Sequence, residues 1–145
     1  MDLLNEIAYG DEGKLYAQDA LLAIAVCASG VYKEYDPEVV QRIASLALAN
    51  PLFKTEVEAV QRRVYRLVHS ITPENRDKAL ELAIESLPAD FTETAFTWSA
   101  YMVARNQSLT DTKKEFLDDL TTQLSINRET AAKIVEKVAI DPVSV

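Results

Sequence analysis

The chain has 145 residues with 23 acidic and 15 basic side chains, a formal net charge of −8, and a single cysteine and histidine. One domain spanning 1–145 fits this length, and such a domain typically buries about 70% of the surface its unfolded chain exposes. The acidic balance works against nucleic acid, whose binding rests on Lys and Arg displacing counterions. Lone Cys27 excludes an intramolecular disulfide, and no basic segment leads into a hydrophobic run at the N-terminus, so a cytoplasmic location is expected.

Only three glycines and five prolines are spread along the chain, and no alternating β-branched runs bounded by turns occur, so strands have little support. The expected class is all-α: a bundle of about seven or eight helices, in two pseudo-repeated halves around one apolar helix.

Met1 to Tyr9 carries a weak stripe of Leu3, Leu4 and Ile7, a short helix at most, which Gly10 and Gly13 interrupt. A helix should then run from about Lys14 and end near Gly30 to Tyr35. Its stretch from Ala20 to Cys27 is apolar on every side. A helix without a polar face belongs inside a domain, and this one is too short for a bilayer, which takes roughly 20 apolar residues. It is therefore expected at the centre of the bundle, and the chain is not expected to span a membrane.

Asp36-Pro37 is a restart signal, because Asp caps well and Pro suits the first helical position, where its missing N–H would be unpaired anyway. Val39, Val40, Ile43, Leu46 and Ala47 follow at helical spacing, and Asn50-Pro51 closes that helix. From Leu52 to Ile71, Val57, Val60, Val64, Leu67 and Ile71 recur in steps of three and four, the cleanest amphipathic pattern in the chain. Thr72-Pro73 repeats the restart, Leu80, Ala83, Ile84 and Leu87 line the next helix, and Pro88 ends it.

Asp90 with Glu93 resembles a capping box, opening a helix with Phe91, Ala95, Trp98 and Met102 on its buried face that reaches about Arg105. Beyond Asn106-Gln107-Ser108, a second box pairs Thr112 with Glu115, or Thr110 serves as the cap. Phe116, Leu117, Leu120 and Leu124 then oppose Asp111, Glu115, Asp118 and Asp119 on a helical wheel. The last helix starts at Asn127, turns Ala131, Ile134, Val135 and Val138 inward, and stops before Asp141-Pro142.

Both halves thus contain a greasy helix, a short polar break and a capped amphipathic helix. The stretch Ala104 to Ile134, A-R-N-Q-S-L-T-D-T-K-K-E-F-L-D-D-L-T-T-Q-L-S-I-N-R-E-T-A-A-K-I, resembles the TerB-like family, a tellurite-resistance-associated helical domain also seen in a membrane-anchored DnaJ-type co-chaperone. Its tail, from Leu124 to Ile134, is similar to the family's Leu-Gly-Ile-Ser-x-Glu-x-Ala ending. The likeness extends from about Ala17 to Val138 and implies a TerB-like helical fold. Members carry Ala-Asp-Gly after the greasy helix, and those acids are suggested for divalent metal. Here the equivalents are Ala28-Ser29-Gly30 and Ala104-Arg105-Asn106, so both acids are missing.

A hard cation needs several oxygens converging on one point. Glu34, Asp36 and Glu38 surround one helix start, and Asp111 and Glu115 the corresponding one in the second half. If the halves pack as pseudo-symmetric partners, these carboxylates face each other. Carboxylates at helix starts are also explained by the helix dipole and free N–H groups, and that structural reading is preferred.

Arg62, Arg63, Arg66 and His69 form the one basic patch of the chain. The preferred reading is a solvated face paired locally with Glu56 and Glu58; the alternative is that they receive an acidic partner segment. His69, near a helix C-terminus, suits the dipole better than general-base catalysis. Cys27 is read as a protonated core thiol. Phe91, Phe96, Trp98 and Met102 are read as core in preference to a ligand groove, and Tyr9, Tyr16, Tyr32 and Tyr35 as marking the ends of the greasy helix or an interface.

No phosphate loop, Cys/His metal spacing or nucleophile motif occurs. The leading expectation is a non-enzymatic interaction module without a cofactor, its link to tellurite resistance or stress response implied by the resemblance, with a protein partner and a homodimer both compatible. A divalent-metal sensor built on Glu34, Asp36, Glu38, Asp111 and Glu115 is the alternative. A small enzyme with an acidic site and His69 stands third.

Overall fold

The structure, a computed structural model, describes residues 15–30, 37–50, 53, 57–104 and 111–140. Among these residues there are seven α-helices and no strand: α1 (Ala17–Ser29), α2 (Pro37–Leu48), α3 (Val57–Ser70), α4 (Arg76–Ser86), α5 (Thr92–Ala104), α6 (Asp111–Gln123) and α7 (Arg128–Ile140), with a 3₁₀ turn, Ala89–Phe91, before α5. None of them is long and apolar enough to cross a membrane. The reading of Met1 to Tyr9 as a short helix lies outside the described residues.

The apolar run of α1 is the centre, as its composition demands. Every residue from Ala20 to Cys27 is at most 2% exposed, because α4, α5, α3 and α2 all pack on it. Each large apolar side chain buried this way contributes about 1.5–3 kcal/mol. Helix α1 begins at Ala17, later than Lys14, with buried Leu15 just before it and the Leu15 N–H donating to Ser86 Oγ at 2.9 Å. It ends where Gly30 turns left-handed (φ 75°), a conformation that costs glycine nothing.

Helix α2 starts at Pro37, and buries Val39, Val40, Ile43, Leu46 and Ala47. Helix α3 starts at Val57, short of the predicted Leu52, and buries Val60, Val64, Leu67 and Val68, with Ile71 just beyond its end. Between α3 and α4, Thr72 and Asn75 cap reciprocally: the Thr72 N–H donates to Asn75 Oδ1 at 2.8 Å and the Asn75 N–H to Thr72 Oγ1 at 3.3 Å. The Asn75 amide also donates to the Ser70 carbonyl at 2.9 Å, closing off the end of α3. Three backbone groups are satisfied by one turn.

Helix α5 is the second greasy helix. Its Ala95, Phe96, Trp98, Ser99, Ala100, Met102 and Val103 are buried, because α5 touches α1, α7, α6 and α2. Phe53 reaches across to Trp98, ring centroids 6.0 Å apart. Asp90 lies in the 3₁₀ turn, so the helix opens at Thr92 and not at the predicted box. Likewise Thr112 is the second residue of α6, inside the helix it was expected to cap.

Helices α6 and α7 meet at a Schellman turn. The Ile126 N–H donates to the Thr121 carbonyl at 3.0 Å and the Ser125 N–H to that of Thr122 at 3.1 Å, with Ser125 left-handed at φ 56°. Asn127 then caps α7, its Oδ1 accepting from the Glu129 and Thr130 N–H groups at 2.8 and 3.4 Å. Ser125→Gly relieves the Cβ clash of a left-handed residue and is expected to stabilise the fold by roughly 0.5–1 kcal/mol. Urea unfolding checks this, and an unchanged or lower midpoint would contradict it.

Candidate functional site

Helix α3 presents the basic residues. Because Val60, Val64, Leu67 and Val68 face inward, the positions at i, i+3, i+4 and i+7 from Arg62 face outward, and Arg62, Tyr65, Arg66 and His69 are all exposed. Tyr65 is 48% exposed despite its aromatic ring. His69 lies against it, ring centroids 4.1 Å apart, with Nδ1 placed 2.9 Å from the Tyr65 carbonyl, to which it donates. The stripe is a basic and aromatic ridge.

Arg63 departs from that ridge. Its Nη1 sits 3.1 Å from Asp19 Oδ1 in the first turn of α1, so it ties α3 to the central helix. Asp19 is 4% exposed. Burial raises its carboxyl above the ordinary 3.8, while the charge and hydrogen bond of Arg63 and the charge of Arg66 pull the other way. The acid that opens the greasy run is thus held at the edge of the core by an arginine from the next layer. A signal for it existed in the sequence: a carboxylate one turn into an all-apolar helix has to find a cation.

Of the carboxylates considered for metal, three fall among the described residues. Glu34 and Asp36 lie outside the described residues. Glu38 is exposed and pairs with Arg42 at 3.1 Å, one turn along α2. Asp111 and Glu115 are exposed on the outward face of α6, which packs on α5. Among the described residues no group of three or more His, Cys, Asp or Glu side chains converges as a metal set.

Cys27 is buried, and desolvation pushes its thiol up to about 12, so it stays protonated and unreactive in the fold. Trp98, Met102 and Phe96 are core, with Phe91 packed against it.

A second feature went unread in the sequence. Helices α6 and α7 each pack on α5, and a cleft of about 460 Å³ opens between them. Leu117, Thr121, Ala131, Ala132 and Val135 form its walls and Phe96 its floor, with Lys114, Asp118, Arg128 and Glu136 also lining it. Its volume falls within the range of ligand sites. Leu117, Ala131 and Val135 read as ordinary core positions, and nothing in a periodic apolar pattern distinguishes a filled seam from an open one. His69 is not among the residues of the cleft.

Compared with models of known protein families, with curated proteins and with solved structures, the chain has no match.

Two predictions separate the structural arginine from the exposed ones. Arg63→Ala leaves a buried carboxylate without its partner and is expected to cost roughly 1–3 kcal/mol; Arg62→Ala stays within about 0.5 kcal/mol. Equal losses in urea unfolding would sink the distinction. Second, a carboxyl whose folded pKa is raised contributes stability that is complete below the unfolded value and is lost as pH rises through the folded value. The stability of Asp19→Asn relative to the native chain should therefore grow as pH rises from 3.8, then level off. A difference independent of pH would contradict this.

Proposed function

We propose that the chain is a non-enzymatic, cytoplasmic protein-interaction module of the TerB-like kind that holds an acidic partner segment against the exposed face of α3. The observation that carries this reading is the Arg62, Tyr65, Arg66 and His69 ridge on a chain whose net charge is −8. Arginine and tyrosine are the residue types that most often dominate interface energy, since both bring large contact area with a polar end. Exposed ion pairs are worth at most about 1 kcal/mol each, so the grip on a partner comes from burying Tyr65, and the arginines select for acid.

Two positions support the family likeness. Ser125 stands where the family ending has Gly, and its φ of 56° is the backbone shape that glycine serves. Asn127 stands where that ending has Ser, and it caps α7 as a serine would. The association with tellurite resistance or stress response comes with this likeness.

The test is a titration of a labelled peptide of glutamates around one phenylalanine, followed by fluorescence anisotropy. Binding that weakens with added salt is expected. Arg62→Glu with Arg66→Glu should lower affinity at least tenfold, as should Tyr65→Ala alone. Undiminished binding by these variants would remove α3 as the docking face.

A further inference from the structure

The chain carries the complement of its own basic ridge. On α6, Asp111, Glu115, Asp118 and Asp119 are all exposed, and at about 100° per residue they fall within an arc of about 100°. Leu117 and Leu120, on the other side, are buried and Phe116 partly so, so the packing of α6 on α5 turns the carboxylates away from the core. Neither lysine of α6 enters that arc: Lys114 lies about 40° beyond its edge and Lys113 on the far side.

Neither face spends its charge inside the chain. Ion pairs among the described residues join Glu38 with Arg42, Asp19 with Arg63, Asp77 with Arg76 and Glu129 with Lys133. None of them takes Arg62 or Arg66 on α3, or any of the four carboxylates on α6. Glu58 stands one turn before Arg62, at the spacing of a helical pair, yet forms no ion pair with it. Helix α3 packs on α1 and α2, and α6 on α5, and both charged faces stay exposed, so they can satisfy each other only between molecules. Helix α4 also carries Asp77, Glu81 and Glu85, but Arg76 reaches Asp77 at 3.7 Å and Lys78 stands among them.

We propose that the ridge on α3 docks on the acidic face of α6 of a second copy of this chain. This rests on the ridge being a surface for an acidic segment, and it names that segment. Arg62 and Arg66 stand four residues apart, as do Asp111 and Glu115, a rise of about 6 Å on each helix, so two helices laid side by side bring cation to anion twice. Tyr65, between the arginines, brings a hydroxyl that donates to a carboxylate. The net charge of −8 on each copy repels at long range, but physiological salt screens charges beyond about 8 Å, and the facing groups lie inside that distance once the surfaces touch. Because the two patches differ, the contact is heterologous, and each copy offers one ridge and one acidic face.

The experiment is sedimentation velocity of the whole chain at concentrations up to about 1 mM, with two surface variants. One is Arg62→Glu with Arg66→Glu, which removes the ridge; the other is Glu115→Lys with Asp118→Lys, which removes the acidic face. All four positions are exposed, so both variants should fold, and circular dichroism checks this. The native chain should associate as its concentration rises, and in each variant alone that association should weaken at least tenfold. Mixing the two variants should restore a 1:1 pair, because the ridge kept by one meets the acidic face kept by the other. A native chain that is monomeric at about 1 mM, a variant that associates as the native chain does, or a mixture that fails to pair would each overturn the proposal. Binding of the glutamate and phenylalanine peptide to α3 of a chain that stays monomeric would keep the ridge as a docking surface and remove the second copy as its occupant.

Discussion

A helix that is apolar on every side cannot rest on a surface, and the arrangement of this protein follows from enclosing α1. Ala20 to Cys27 leave no face for water, so neighbours are required all round, and α2, α3, α4 and α5 supply them. At its N-terminal end α1 carries a charge of its own. Asp19 is buried there, in the first helical turn where the dipole favours an anion, and Arg63 compensates it from α3. An unpaired carboxylate in that place would be among the most costly groups in the fold. The salt bridge ties α3 to α1, while the buried Val60, Val64, Leu67 and Val68 set which side of α3 is left outward.

Much of this was legible in the sequence because the relevant signals are local. Pro37 opens α2 where a proline is tolerated, Asn127 caps α7, and the steps of three and four from Val60 to Ile71 mark the inward face of α3. The start of α5 was misplaced by a residue, and of the two caps offered for α6 Thr112 lies inside the helix. Asp90-x-x-Glu93 and Thr112-x-x-Glu115 have the form of capping boxes, but a 3₁₀ turn takes in the first Asp, and Asp111 already opens α6. Spacing alone does not say which of two neighbouring polar residues becomes the cap.

The functional surfaces were less legible, for a different reason. Arg62, Arg63 and Arg66 are adjacent in sequence, yet Arg63 sits about 100° round the helix from Arg62, and this is enough to turn it towards Asp19 while the others face solvent. That division depends on the placement of α1, a long-range fact. The cleft is a stronger case. Thr121, Ala131 and Val135 recur on the faces of α6 and α7 like any core residues, and whether two such faces meet is decided by side-chain volume integrated over a whole seam.

The contrast between the halves shows how volume decides that outcome. Helices α2 and α3 pack on each other, and their buried residues are largely Val, Ile and Leu, whose branched side chains fill space well. The cleft between α6 and α7 is walled by Ala131, Ala132 and Thr121 beside Leu117 and Val135. Small side chains leave open a space that branched ones would fill, and both helices hold to α5.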